Sequence, residues 1–131
     1  MISNENIRKE VISLLRENIN GSFRFYSGRP IFRDVNAELP TIAVYIDEAE
    51  YSESTICLNE CDASLCIGIY LPMTSSEENL DLVAENIAAI FRKVNLSSVD
   101  DCQIRRYAYE YDPEENKWIN STLYFDINYL N

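Results

Sequence analysis

The groups in this chain that could do chemistry are four thiols, many carboxylates and one arginine carried on a turn. Cys57, Cys61, Cys66 and Cys102 could be offered as a four-thiolate zinc site. Zinc knuckles usually keep two residues between paired cysteines; here three and then four residues intervene. Cys66 also falls on the outward face of a predicted strand, so ordinary buried or half-buried thiols are expected and no metal is assigned. Acidic side chains number 22, so a glycosidase-like pair could arise from abundance alone, and a solvated surface is the simpler reading. The chain has no histidine. That removes Ser-His-Asp and Cys-His catalysis and the commonest general base at neutral pH. Three scattered glycines build neither a phosphate loop nor a nucleophile elbow. The chain is read as not an enzyme, with no cofactor.

What remains is contact chemistry. Glu77 and Glu78 sit where a helix should begin and are first of all cap residues; a subunit contact, or a divalent cation bridging neighbours, is the other reading. Arg29, within Gly28-Arg29-Pro30, is either a turn residue or a rigidly held guanidinium for a carboxylate. Tyr107, Tyr109 and Tyr111 read either as sheet packing or as an interface, where tyrosine is enriched.

The elements that must position these groups follow from periodicity. Ile7, Val11, Leu14 and Leu15 form one stripe of a helix over 4–19, with Ser3 or Asn4 to cap it and Gly21 to end it. Phe23 to Tyr26 predicts a short strand, and Thr41 to Ile46 a longer one with Ile42, Val44 and Ile46 on one side. The mixed, polar stretch from Asp47 to Asp62 reads as strand ends flanking a long exposed hairpin or loop. Alternation from Ala63 to Leu71 predicts a half-buried strand stopped by Pro72. Thr74 with Glu77, or Ser75 with Glu78, fits a capping box before a stripe of Leu80, Val83, Ala84, Ile87, Ile90, Phe91 and Val94. After a polar connection from Asn95, two strands over 102–111 and 118–130 flank a turn at 112–117. The expected architecture is a single α+β domain over 1–131: a two-layer, mainly antiparallel sheet with both helices on one face. The other face would show Tyr, Thr, Asn and Arg.

Bulk composition limits the partners. Apolar residues make up 47% and charged residues 25%, which is globular rather than disordered. The opening residues lack the basic start and apolar run of a signal peptide, and no stretch is long and apolar enough to span a bilayer. A cytoplasm, reduced thiols and no membrane are expected. The net charge of −11 repels nucleic acid and anionic lipid.

An ordered set of short segments resembles the lambda-type phage minor tail protein U family, the tail terminators. These are Phe23 to Phe25 with Gly28-Arg29-Pro30, then Leu39-Pro40 leading to Ala43-Val44-Tyr45 and Ala49-Glu50-Tyr51. The strand ending Leu71-Pro72 follows, then Leu80-Asp81, Tyr109, Tyr111-Asp112, Trp118 and the closing run from Leu123 to Tyr129. The chain departs from the family pattern at its cysteines 57, 61 and 66 and over 52–62; Glu77 is the nearest equivalent of an acidic residue that the family tends to have at the second helix start. The resemblance implies a homo-hexameric ring in the virion tail, at the head–tail junction. It would stop polymerisation of the major tail tube protein and present the surface for a head–tail joining protein. DNA would pass through without specific binding, which suits an acidic lumen. Contact positions expected on this reading are Arg29, Glu50, Tyr51, Glu53, Glu60, Glu77 and Glu78. Two other readings fit the same composition: an acidic DNA-mimic inhibitor, and a different head–tail joining protein.

Overall fold

Along the chain, in a computed structural model describing residues 2–53, 59–112 and 117–130, run α1 (Ile2–Asn18), β1 (Arg24–Ser27), α2 (Val35–Glu38), β2 (Thr41–Glu53), β3 (Asn59–Pro72), α3 (Glu77–Lys93), β4 (Asp101–Tyr111) and β5 (Trp118–Leu130). For Ile2, Asn36, Glu53 and Asn59 only the backbone is described. The strands form one sheet in the order β1-β2-β3-β5-β4, with β1 parallel to β2 and the other pairs antiparallel.

Both long helices lie on one face, as the periodicities require. Ile7, Val11 and Leu15 of α1 and Leu80, Ala84 and Ile87 of α3 are buried against Leu65, Ile67 and Ile69 of β3 and Leu123, Phe125 and Ile127 of β5. α1 packs over β1 and β2, α3 over β3 and β5. Val94, placed on the α3 stripe by spacing, is instead the C-cap and 39% exposed.

The helix ends differ from the expected caps. α1 already includes Ser3 and Asn4, and Asn4 uses its Oδ1 to accept the Tyr129 hydroxyl, joining the first helix to the last strand. It ends at Asn18, ahead of Gly21, whose φ of +117° makes the following bend. In α3 the cap is Ser76, whose side chain accepts from the Asn79 N–H at 3.2 Å, not Thr74 or Ser75. Glu77 and Glu78 still occupy the positive first turn, and Arg92 and Lys93 the last.

The second face is only partly open, which corrects the expectation of a Tyr, Thr, Asn and Arg surface throughout. The crossover from β1 to β2, residues 28–40, folds across it. Phe32 meets Tyr26 and Tyr70 edge-on at 6.2 and 5.3 Å, and the Tyr26 hydroxyl donates to Glu38 Oε1 at 3.0 Å. Beneath lie buried Ala43, Tyr45 and Cys66. Sequence alternation shows which face a residue takes but not what later folds over it.

Strands β2 and β3 also run further than expected. Pairing continues to Glu53↔Asn59, so most of 47–62 is a two-stranded arm; residues 54–58 at its end, Cys57 among them, lie outside the described residues. The register shifts between Ile46 and Glu48, which makes Asp47 an extra residue. Such a bulge reverses the facing of everything beyond it.

Candidate functional site

The bulge sorts the arm. Before it Ile42, Val44 and Ile46 face the helices; beyond it Ala49 and Tyr51 do. Glu48 and Glu50 therefore turn to the opposite face, where Glu60 and Asp62 of β3 join them. Asn128 bridges the last two, donating through Nδ2 to Glu60 Oε1 at 3.1 Å and to Asp62 Oδ1 at 2.8 Å. Tyr51 pairs in register with buried Cys61 and is 46% exposed. Glu53 ends β2, and its side chain lies outside the described residues.

On that uncovered part of the second face is a shallow groove of about 470 Å³. Asp47, Glu48, Glu50 and Asp62 form one wall; Arg105, Arg106, Tyr124 and Asp126 form the other. Its cations are already engaged. Arg105 Nε sits 2.8 Å from Asp126 Oδ1, and the Arg106 guanidinium stacks 4.0 Å over the Tyr124 ring. The carboxylates along the arm are left to set the potential, which repels polyanions and attracts cations.

Arg29 lies in the bend after β1, and its guanidinium meets a carboxylate of the same chain. Gly28, at φ +113°, turns the chain, and Arg29 comes back over the Tyr45 ring at 4.6 Å to ion-pair with Asp47. The guanidinium thus ties the crossover to the bulge residue, at the root of the arm.

A second contact region lies at the start of α3. A register shift between Ile104 and Arg106 makes Arg105 the extra residue of β4, and this turns Tyr107, Tyr109 and Tyr111 to the helix side. Tyr107 and Tyr109 both donate to Asp81 Oδ1, at 2.8 and 2.6 Å, and Tyr111 donates to Glu77 Oε2 at 2.9 Å. The tyrosine stripe thus ties the outer strand to α3, and Glu77 is engaged in it. Glu78 is exposed beside it. Asp81 is the residue the sequence reading missed as a site, although Leu80-Asp81 is among the segments that carry the resemblance and Asp81 falls one turn after Glu77.

Burial, and then the Asp81 carboxylate, push the Tyr107 hydroxyl above the ordinary tyrosine range. A raised value means that the stabilisation is fully present below that range and is lost as pH rises through the folded value. Asp81→Ala removes the acceptor of both hydroxyls. It is expected to cost about 1 kcal/mol, the net value of such exposed hydrogen bonds. Thermal unfolding at neutral pH checks this, and an unchanged midpoint would show the bridge to be ornamental.

Among the described residues the thiols do not gather at one point. Cys61 points to the helices and Cys66 to the other face of the same strand, so these two cannot ligate one ion. Burial raises the pKa of Cys61 and Cys66, and pushes that of Cys102 up to about 11, so at neutral pH all three stay protonated and unreactive. Among the described residues no three His, Cys, Asp or Glu side chains gather as a metal site. No helix among them is long and apolar enough to cross a membrane.

Set against known proteins, residues 2–129 match the family model described as phage minor tail protein U. The tail tube terminator protein of Escherichia phage lambda is 27% identical over 126 residues, covering 94% of this chain and 95% of the relative. The tail tube terminator protein of Escherichia phage N15 is 25% identical over 131 residues, covering 98% of each. Among solved structures, a chain from the virion of a native gene transfer agent particle superposes with a TM-score of 0.56 at 10% identity. It covers 95% of each chain and shows the shared fold.

Proposed function

The chain belongs to the phage minor tail protein U family, and from that premise we propose that it ends the tail tube: six copies close a ring on the head-proximal end, stop addition of tube subunits and offer the surface to which the head is joined. The observation that carries this reading is the family match over 2–129, together with two relatives named for tube termination that align over nearly their whole length.

The geometry supplies the means. A head-to-tail contact between identical subunits closes into a ring when the rotation between neighbours divides a full turn. One side of the ring copies what the next layer of tube subunits would offer, and the other side does not, so growth stops. The β2–β3 arm, with Glu50, Tyr51, Glu53 and Glu60, is the part of the fold that reaches outward to a neighbouring layer. Arg29 acts on it indirectly, holding its root through Asp47. The α3 start, with Glu77 and Glu78, is a second contact. Carboxylates on the open face keep passing DNA from adhering, since like charges repel at close range.

Electron microscopy of particles assembled without this protein tests the reading. Overlong tails lacking heads are expected, with normal length and joining restored when the protein is supplied. Tails of normal length joined to heads in its absence would end the proposal.

A further inference from the structure

The charges of this chain are divided unevenly along the sequence. Residues 1–33, which build α1, β1 and the start of the crossover, carry six basic and three acidic side chains; residues 34–131 carry five basic and nineteen acidic. Two of those three early carboxylates are occupied, Glu5 by Lys9 and Glu10 by Ser97 and Ser98. The opposite margin is α3 with β4. α3 presents Glu77, Glu78, Asp81 and Glu85 along its first turns, with Arg92 and Lys93 at its end, and β4 adds Asp101, Arg105, Arg106 and Glu110.

Between α3 and β4 runs a groove of about 340 Å³ whose floor is apolar, with Ala84, Ala88, Ile104 and Leu123; its rim holds Asp81, which accepts from Tyr107 and Tyr109, and Glu85, which ion-pairs with Arg92 at 3.5 Å. Ile104 is 55% exposed there. On the β1 half of the molecule, the crossover raises Ile31, at 81% the most exposed large apolar side chain among the described residues. Arg33, two residues on, is exposed and its guanidinium makes no hydrogen bond or ion pair among the described residues. A lone exposed isoleucine is ordinary; one beside an exposed arginine, matching an apolar groove that carries the Asp81 and Glu85 carboxylates on the other margin, is complementary.

Two copies of a chain with net charge −11 repel unless they meet where the signs differ. Strand addition is the competing route, but the bulge at Arg105 and the charges along β4 blunt that edge. We propose that the crossover of one copy docks in the α3–β4 groove of a second copy, with Ile31 between Ala84, Ala88 and Ile104 and the Arg33 guanidinium on the Asp81 and Glu85 carboxylates. This rests on the ring reading and names the surfaces that join neighbours. The contact is heterologous, so it propagates head to tail as ring closure requires.

The experiment supplies a chain carrying both Ile31→Cys and Ala88→Cys to phage lacking the wild-type protein, purifies the tails, oxidises them and resolves the products on a non-reducing gel. A ladder of linked subunits is expected, with neither single substitution giving more than a trace of it. Copies per tail are counted in parallel by quantitative mass spectrometry. Several copies per tail without a ladder would overturn this interface and leave the ring intact, whereas one copy per tail would overturn the ring itself. The thiol-free form of the test is a charge swap. Arg33→Glu should lower the copies retained per tail at least tenfold, and Arg33→Glu with Glu85→Arg in one chain should restore most of them; a swap that restores nothing counts against the contact.

Discussion

Leu65→Ala is expected to lower the unfolding free energy by about 3 kcal/mol, within the roughly 2–5 kcal/mol typical of buried leucine truncation. Leu65 is fully buried in β3, the middle strand, and is paired across to Ile46 on one side and Phe125 on the other. Phe125 in turn packs against Phe91 of α3, with ring centroids 4.7 Å apart. Truncation there removes transfer energy and leaves a cavity that strands held on both sides cannot close. A domain of this size holds about 5–15 kcal/mol in total, so this one substitution takes a large share. Leu82→Ala is the control: Leu82 is 63% exposed on the outer side of α3, and its loss should stay within about 0.5 kcal/mol. Urea unfolding separates the two through the midpoint at constant slope. Equal shifts for both variants would contradict the two-layer assignment.

That assignment was largely legible in the sequence, because each half of it depends on local spacing. Ile7, Val11 and Leu15 recur at helical intervals and Leu65, Ile67 and Ile69 at strand intervals, and all six are fully buried. The misreadings come from events that are not local. A bulge is one extra residue in a pairing between distant segments, and nothing beside Asp47 or Arg105 marks it. Yet the bulge at Asp47 puts Glu50 and Glu60 on one face, and the bulge at Arg105 aims the three tyrosines at Asp81 and Glu77. The burial of Tyr45 was hidden for a similar reason, since it depends on where residues 28–40 come to rest. Arg29 was read as a turn residue or as a guanidinium for a carboxylate, but its partner Asp47, eighteen residues away, could only be seen in three dimensions.

The most distant of these unseen contacts yields the other large effect. Glu10 of α1 reaches the connection between α3 and β4, where its carboxylate accepts from the Ser97 N–H at 2.7 Å, the Ser97 hydroxyl at 2.8 Å, the Ser98 N–H at 2.9 Å and the Ser98 hydroxyl. Burial pushes the carboxyl pKa up, but the donors of Ser97 and Ser98 together outweigh it, and the net shift is downward. A lowered pKa fixes the sign: the stabilisation is present above the ordinary glutamate range and is lost as pH falls through the folded value. Glu10→Ala is therefore expected to cost about 1.5–3 kcal/mol at pH 7, the range for hydrogen bonds to a charged group, with the partly exposed site favouring the lower end. Below the carboxylate range the wild type loses the same interactions, so the two proteins should converge there. Glu10→Gln separates charge from shape, since it keeps one acceptor oxygen but no anion, and it should fall between them. Urea unfolding of all three at pH 7 and in acid decides the matter. A penalty for Glu10→Ala that is equal in acid and at pH 7 would mean the side chain acts by packing, and the charged clamp would be the wrong account of how the first helix is tied to a loop 87 residues away.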